Sequence, residues 1–533
     1  MLEKKYHINL SSSEFAHYIE EKLLYVDKSI FIEHFMNNPS NVLLITRPRK
    51  MGKSLNMNML AEFLDCKKSS AHLFKELEIG KTKTFEEHLN KYPVIYLDFK
   101  NLSPSCYKNT LREQLMKHIN KYLDPMQYTK LIKKNIENEE EINLRSLTKN
   151  LYRVYKVKPI ILINGYESLF MDSLNEPNHE EIKTYMSLFF ESAFNDNPHI
   201  KKALLTGILR LSYESMFSKV SDIEAYDVFT QSEFNEDFGL TEKEVKDLVE
   251  PKDFKTVKKW YDGVRVGNSY VYYVHSVMSF LSEGKFSSYW GKNSNMSLLG
   301  NLLTQSKILC IGELVKKLGN TFTTELGPRI SLKELLTDKE DKYYYALAVQ
   351  AGYLSWDKVA SINPRSRFYE LCIPNEELIM VWQEYILNSL VQKEKQNQLA
   401  EIFEVIDNAD HFNKELKNLL SFKLSLFDLC SNLEKTYHSL ALGLMVDLGF
   451  DVSSNSTAGI SKYDLFIETK EWTAVVEFKV SKMIRDIKEA TKEALTQINR
   501  KKYLANACKN KPAYAIGIGT HKRNVEVMCE RAW

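Results

Sequence analysis

Four short apolar runs set the architecture of the first half of the chain. They are "NVLLI" (41–45), "YPVIYLDF" (92–99), "PIILINGY" (159–166) and "KKALLTGIL" (201–209). Stretches of helical character lie between them, including a long run from about 108 to 156 and "EEIKTYMSLFFESAF". Short apolar strands alternating with helices need crossover connections, and crossovers put helices on both faces of the sheet. The pattern predicts an α/β domain with a largely parallel sheet.

The first run leads into "TRPRKMGKS" (46–54), and the helical "LNMNMLAEFLD" follows. Strand, loop and helix in that order form a phosphate-binding loop. Backbone N–H groups and a helix N-terminus point at the phosphates, a lysine reaches the β and γ oxygens, and a Ser or Thr hydroxyl sits on magnesium. Gly52, Lys53 and Ser54 supply the end of the G-x-x-x-x-G-K-[ST] pattern, but Arg47 stands at its first glycine. A bare G-K-S triplet also occurs in ordinary surface loops; the strand before it and the helix after it favour a nucleotide site. Arg47 and Arg49 are candidate phosphate contacts.

Such a site needs a carboxylate at the end of a neighbouring strand to orient magnesium. Here "PIILI" ends in Asn164-Gly165. Asn164 can accept a hydrogen bond from a metal-bound water but brings no charge, and Gly165 cannot act as a general base. Glu167, two residues on, reads as a solvated loop residue or as a late contributor to the site. Binding of ATP is therefore expected, with hydrolysis weak or absent.

The last hundred residues carry a second constellation. "YDLFIET" and "TAVVEFKV" read as two strands joined by "KEW", followed by the helix "KEALTQINRKKYLANA" and two more strands, "AYAIGIGT" and "NVEVMCE". The strand period of two puts Glu477 and Lys479 on one face and Phe478 on the other. A hairpin brings Asp464 beside Glu477. Two adjacent carboxylates can hold Mg2+ or Mn2+, and a neighbouring lysine can position a water and stabilise developing charge, which is the set that phosphodiester hydrolysis uses. Glu477 interrupts an otherwise apolar strand, which sets it apart from a solvated edge residue.

Composition narrows the setting. Over 533 residues, 72 Lys and Arg balance 70 Asp and Glu, so overall charge points to no partner. Local charge does: from Lys479 onward there are thirteen Lys or Arg and five Asp or Glu, a balance suited to a phosphate backbone. Seven scattered cysteines with no CxxC argue against a disulfide framework or a thiolate metal site. No apolar run is long enough to span a bilayer. A soluble intracellular protein is expected, in cytoplasm or nucleus.

The chain resembles the predicted AAA-ATPase-like proteins that carry a C-terminal PD-(D/E)XK nuclease-superfamily domain. The resemblance runs through "YVDKS" (25–29), "TRPRKMGKS", "PVIYLDFK" (93–100), "LLTGILRLSYESMF" (204–217), "FGLTEKEV" (238–245), "WYDGVRVG" (260–267), "AGYLS" (351–355) and "IPNEE" (373–377). The family loop usually reads TRPRRFGKS, so Arg47 is a family feature. The family strand ends like DEYD, so Asn164-Gly165-Tyr166-Glu167 is a departure.

The resemblance implies a fold and a set of roles. The fold is a P-loop NTPase-like parallel-sheet domain (1–240), a mainly helical middle (241–390), a helical linker region (391–430) and a restriction-endonuclease-like α/β domain (431–533). Thr206 would stand where related ATPases keep a polar γ-phosphate sensor, followed by Arg210. Asp464, Glu477 and Lys479 would form the nuclease core, with Glu434 on the preceding helix and Gln497 and Tyr503 on the following one. Lys462 keeps the basic character before the aspartate. ATP and Mg2+ (or Mn2+) would be the cofactors, nucleic acid the partner with DNA favoured over RNA, and a homo-oligomer the assembly. The expected function is a nucleotide-regulated, metal-dependent nuclease. The alternative is an ATPase-like nucleic-acid-binding or scaffold protein without nuclease activity.

Overall fold

The computed structural model describes residues 6–124, 143–211, 217, 220, 223–291, 321–326, 341–362, 367–382, 402–403, 405–424 and 451–532, the last range interrupted at 455–456, 459–460, 463, 470, 482, 502–503, 505–510 and 522–523. The chain divides into two compact units, residues 1–308 with 323–378 and residues 309–322 with 379–533.

The first unit is built on five parallel strands: β1 (Val42–Thr46), β2 (Val94–Asp98), β3 (Ile160–Asn164), β4 (Lys202–Gly207) and β5 (Ile223–Tyr226), in the order β2-β3-β4-β1-β5. Strands β1, β3 and β4 are buried along their whole length, as a sheet covered on both faces requires. The fifth strand was not among the apolar runs. Its "IEAY" alternates buried and less buried positions, the pattern of an edge strand rather than of a core run. Register places Asp98 opposite Asn164, Asn164 opposite Thr206, and Thr206 opposite Ile45. One transverse row at the carboxyl ends of four strands thus faces the loop after β1, the edge of an open α/β sheet where ligands bind.

The helices around this sheet follow their sequence cues. Leu111, Leu115 and Ile119 form the buried stripe of the helix Tyr107–Tyr122, and Leu144, Leu147 and Leu151 that of Leu144–Tyr155. Asn143 caps the latter by accepting from the Ser146 N–H. The run expected from 108 to 156 is thus two helices, with 125–142 outside the described residues.

Beyond β5 the unit adds the helices Glu242–Leu248, Pro251–Tyr261 and Val274–Glu283 and the hairpin β6 (Val264–Val266) and β7 (Ser269–Val271). Thr241 and Glu244 close a reciprocal capping box on the first of these helices. A three-stranded sheet follows, β8 (Phe322–Glu325), β9 (Ser355–Ile362) and β10 (Arg367–Cys372), in the order β8-β10-β9. The reading of this region as mostly helical did not include that sheet.

The second unit holds a mixed sheet ordered β11-β14-β15-β16-β17. Its strands are β11 (Asp451–Ser454), β14 (Leu465–Glu468), β15 (Thr473–Val480), β16 (Ala513–His521) and β17 (Asn524–Arg531), and the short β12 (Thr457–Ala458) and β13 (Ser461–Lys462) pair with each other. The hairpins β14–β15 and β16–β17 are antiparallel. The helix Ile487–Arg500 crosses over between β15 and β16, which are parallel. That helix lies against β16 closely enough that a Cβ at Gly519 would meet the Ile487 carbonyl oxygen at 2.6 Å, and one at Gly517 the Thr491 carbonyl oxygen at 2.7 Å. Val475, Leu495, Ile498, Ala513 and Ala515 form the core between sheet and helix. Among the described residues, no helix is long and apolar enough to cross a membrane.

Candidate functional sites

The loop after β1 ends at Gly52, whose φ of +81° is a left-handed conformation suited to glycine, and the helix Lys53–Leu64 starts directly after it. Lys53 is buried. Its ammonium donates to the carbonyls of Arg47 (2.8 Å) and Pro48 (2.6 Å), so it closes the loop on itself. Burial holds its pKa well below the ordinary lysine value, with Lys100 adding to the shift.

Arg47 lies elsewhere than expected. Its guanidinium is fully buried and donates to the carbonyls of Thr46 (2.8 Å), Tyr226 (2.9 Å) and Phe234 (2.9 Å), with the Phe238 ring 5.7 Å away. Desolvation lowers its pKa to about 10. The arginine that replaces the first loop glycine therefore ties the loop to β5 and to the turn at 233–235. Arg49 is half-buried in the turn after Pro48.

Ser54 opens onto the carboxyl ends of the strands. Its hydroxyl accepts from the Lys100 ammonium at 2.7 Å and from the Asn164 side-chain amide at 3.3 Å. Thr206 donates to the Asn164 side-chain oxygen at 3.3 Å. Asn164 and Thr206, at the ends of β3 and β4, are thus linked to Ser54 by hydrogen bonds, although Thr206 is fully buried.

Glu167 is not a solvated loop residue. It is 4% exposed, and one carboxylate oxygen accepts from the Ile208 N–H at 2.6 Å. Burial raises its pKa. Arg210 pairs with buried Asp227 at 2.7 Å, so it serves the core rather than the loop.

A cavity of about 270 Å³ opens over this loop. Lys50, Gly52, Lys53, Ser54 and Lys100 line one side. Ile8, Leu10, Leu24, Val26, Leu240, Val274 and Met278 form an apolar wall. A cationic cradle continuous with an apolar slot suits a nucleotide, whose phosphates and base need opposite surroundings. Lys100 was missed as a site residue. The signal was present in "DFK" at the end of the second strand, but its meaning depends on Ser54, 46 positions away.

In the second unit the β14–β15 register pairs Leu465 with Val476, so the next step brings Asp464 to Glu477. The Asp464 N–H donates to one Glu477 carboxylate oxygen at 3.4 Å, and Asp464 accepts from the Phe478 N–H at 2.8 Å. Glu477 is 4% exposed, while Asp464 and Lys479 are half-buried. Gln497, on the crossover helix, donates its amide to the other Glu477 oxygen. Four of the six expected nuclease residues, Asp464, Glu477, Lys479 and Gln497, therefore share one end of the sheet. Glu434 lies outside the described residues, as does Tyr503.

The donor chemistry fits a hard divalent cation. Asp464 and Glu477 offer carboxylate oxygens side by side, and a small protein ligand set suits Mg2+, which keeps several of its waters. Among the described residues no group of three or more His, Cys, Asp or Glu gathers as a metal site. Gln497 fixes the Glu477 carboxylate from outside. Gln497→Leu is expected to weaken Mn2+ affinity by roughly 10- to 100-fold, the usual cost of losing an outer-shell partner. Calorimetric titration of Mn2+ into the full chain checks this.

Comparison with known proteins agrees with both regions. The model of a predicted AAA-ATPase family matches residues 9–217, and that of the PD-(D/E)XK nuclease superfamily matches residues 432–530. No curated protein matches the chain. Among solved structures, a Walker-type ATPase of Pyrococcus abyssi is similar at 13% identity and a TM-score of 0.31, over 66% of this chain and 93% of that one. The chain thus carries one region similar to the predicted AAA-ATPases, residues 9–217, and a second similar to the PD-(D/E)XK nuclease superfamily, residues 432–530.

Proposed function

We propose that the chain is a metal-dependent nuclease that hydrolyses phosphodiester bonds of DNA in preference to RNA and is regulated by ATP bound at the N-terminal loop. The observation that carries this reading is the placement of Asp464 beside Glu477, with Lys479 two residues along the same strand face. Bound Mg2+ or Mn2+ would polarise the phosphoryl oxygen and lower the pKa of a coordinated water. Asp464 and Glu477 would hold the ion, and Gln497 would keep the Glu477 carboxylate in place. Lys479 would set the attacking water and offset charge on the phosphate. The thirteen basic residues from Lys479 onward supply attraction to a nucleic-acid backbone.

ATP binding is supported by the cavity, whose charged and apolar walls meet at Gly52-Lys53-Ser54. Efficient hydrolysis is not part of the proposal. Asn164 is neutral, and Glu167 is buried against the Ile208 N–H instead of facing the cavity. The site acts as a binding switch, with ATP favouring one arrangement of the chain over another.

Two measurements test this reading. Cleavage of plasmid, single-stranded DNA and RNA is followed with Mg2+, Mn2+ or EDTA, with and without ATP. The expected result is metal-dependent cleavage that changes with ATP, and a loss of roughly 100- to 1000-fold in Lys479→Ala, the scale of a lost electrostatic stabiliser. Cleavage unaffected by EDTA and by Lys479→Ala would remove the nuclease site. ATP affinity is also measured in wild type and Lys53→Ala, and equal affinities would remove the nucleotide site.

A further inference from the structure

In a phosphate loop the hydroxyl after the lysine is a magnesium ligand, and an acidic residue on a neighbouring strand orients the ion's waters. The residues here do not fit that ion. A hydroxyl oxygen has two acceptor lone pairs, and at Ser54 both are taken, by the Lys100 ammonium at 2.7 Å and by the Asn164 amide at 3.3 Å. The Asn164 oxygen is turned away and accepts from Thr206. Of the nearby carboxylates, Asp98 and Glu167 do not line the cavity, and Asp237, which does, pairs with His34. Asp98 caps the turn that carries Lys100, accepting from the Lys100 N–H at 3.1 Å and from Asn101 at 3.3 Å. Glu167 is enclosed and receives the Ile208 N–H at one oxygen, its other oxygen having no hydrogen-bond partner among the described residues. A cation is nonetheless present at the hydroxyl, and it belongs to a side chain.

The surroundings hold that side chain in place. Gly165 has φ +72°, and a Cβ there would meet the Lys100 Cγ at 2.6 Å, so the lysine stem lies against bare backbone. The glycine that replaces an acidic residue of the family strand end is the residue that admits the stem. Lys100 is exposed and lines the cavity, and desolvation by the protein around its stem holds its pKa below the ordinary lysine value.

We infer that Lys100 takes the place of the divalent cation at the loop, so that the chain binds a nucleoside triphosphate free of metal. Lys53 and Lys100 then approach the polyphosphate from two sides. Free ATP carries more negative charge than its magnesium complex, and a second fixed ammonium answers that charge. The inference rests on the nucleotide-binding reading proposed above. It separates the two ends of the chain, because metal is needed at Asp464 and Glu477 and not at Ser54.

The test is calorimetric titration of ATP into the full chain, in EDTA and in excess Mg2+, for wild type, Lys53→Ala, Lys100→Met and Lys100→Met with Asn164→Asp. Wild type is expected to bind with the same Kd in both buffers to within about twofold. Lys100→Met keeps the aliphatic stem against Gly165. It is expected to lose at least about tenfold in EDTA. Adding Asn164→Asp is expected to recover binding in Mg2+ only. Thermal melting of each variant, with Lys100→Gln as a second replacement, separates lost binding from lost fold. Wild-type binding that needs Mg2+, or EDTA binding unchanged in both folded Lys100 variants, would overturn the inference and leave the nucleotide site standing. No ATP binding by wild type in either buffer would overturn the nucleotide site and the inference together.

Discussion

Glu477→Ala is expected to lower metal-dependent cleavage by roughly a thousandfold or more while leaving the first unit's melting unchanged. Glu477 is nearly enclosed, and its oxygens are engaged by the Gln497 amide and the Asp464 N–H. Truncation removes one of two carboxylates from the proposed ion site and leaves the Gln497 amide facing a gap. Glu477→Gln keeps the shape but loses the charge that attracts the ion, so it is expected to fold as wild type and still fail to cleave. The pair of variants separates a structural glutamate from a metal-holding one. A structural role predicts that Glu477→Gln retains activity, and cleavage time courses beside melting curves distinguish the two.

The second large effect concerns stability. Arg47→Ala would leave the carbonyls of Thr46, Tyr226 and Phe234 without their guanidinium donors, in a site closed to solvent. Each buried polar group left unsatisfied costs about 1–3 kcal/mol, and the cavity adds to that. A total of about 3–5 kcal/mol is expected, since neighbouring terms do not simply add. For a unit of this size that lowers the melting midpoint by roughly 5 °C. Arg47→Lys is expected to rescue little, because one ammonium cannot reproduce a planar fork that serves three carbonyls. A phosphate-contacting Arg47 would behave otherwise: melting would hold, and ATP affinity alone would fall. Differential scanning calorimetry beside ATP titration reads both quantities.

These residues also show what the sequence could and could not convey. The strand–loop–helix around Gly52-Lys53-Ser54 was legible because it is built from adjacent residues. Asp464 and Glu477 were legible because a short hairpin connection fixes which positions face each other. The role of Arg47 was not, since two of its three acceptors, Tyr226 and Phe234, lie about 180 positions along the chain. Lys100 and Ser54 meet because β2 and β1 end at the same edge of the sheet with two strands between them, and no local pattern encodes strand order. The loop position of Glu167 left open whether it is solvated or reaches the site, and the close passage of Gly207 and Ile208 buries it. Strand β5 was too short and too polar to register as an apolar run.

Plasmid cleavage by the full chain with Mg2+ or Mn2+ decides whether Asp464 and Glu477 form a working metal site. Wild type and Asp464→Asn are compared at equal concentration after matched melting curves. Wild type is expected to nick and linearise the plasmid, EDTA to stop it, and Asp464→Asn to leave the plasmid intact. Equal cleavage by the two proteins, or no cleavage by wild type under any metal and nucleotide condition, would contradict it.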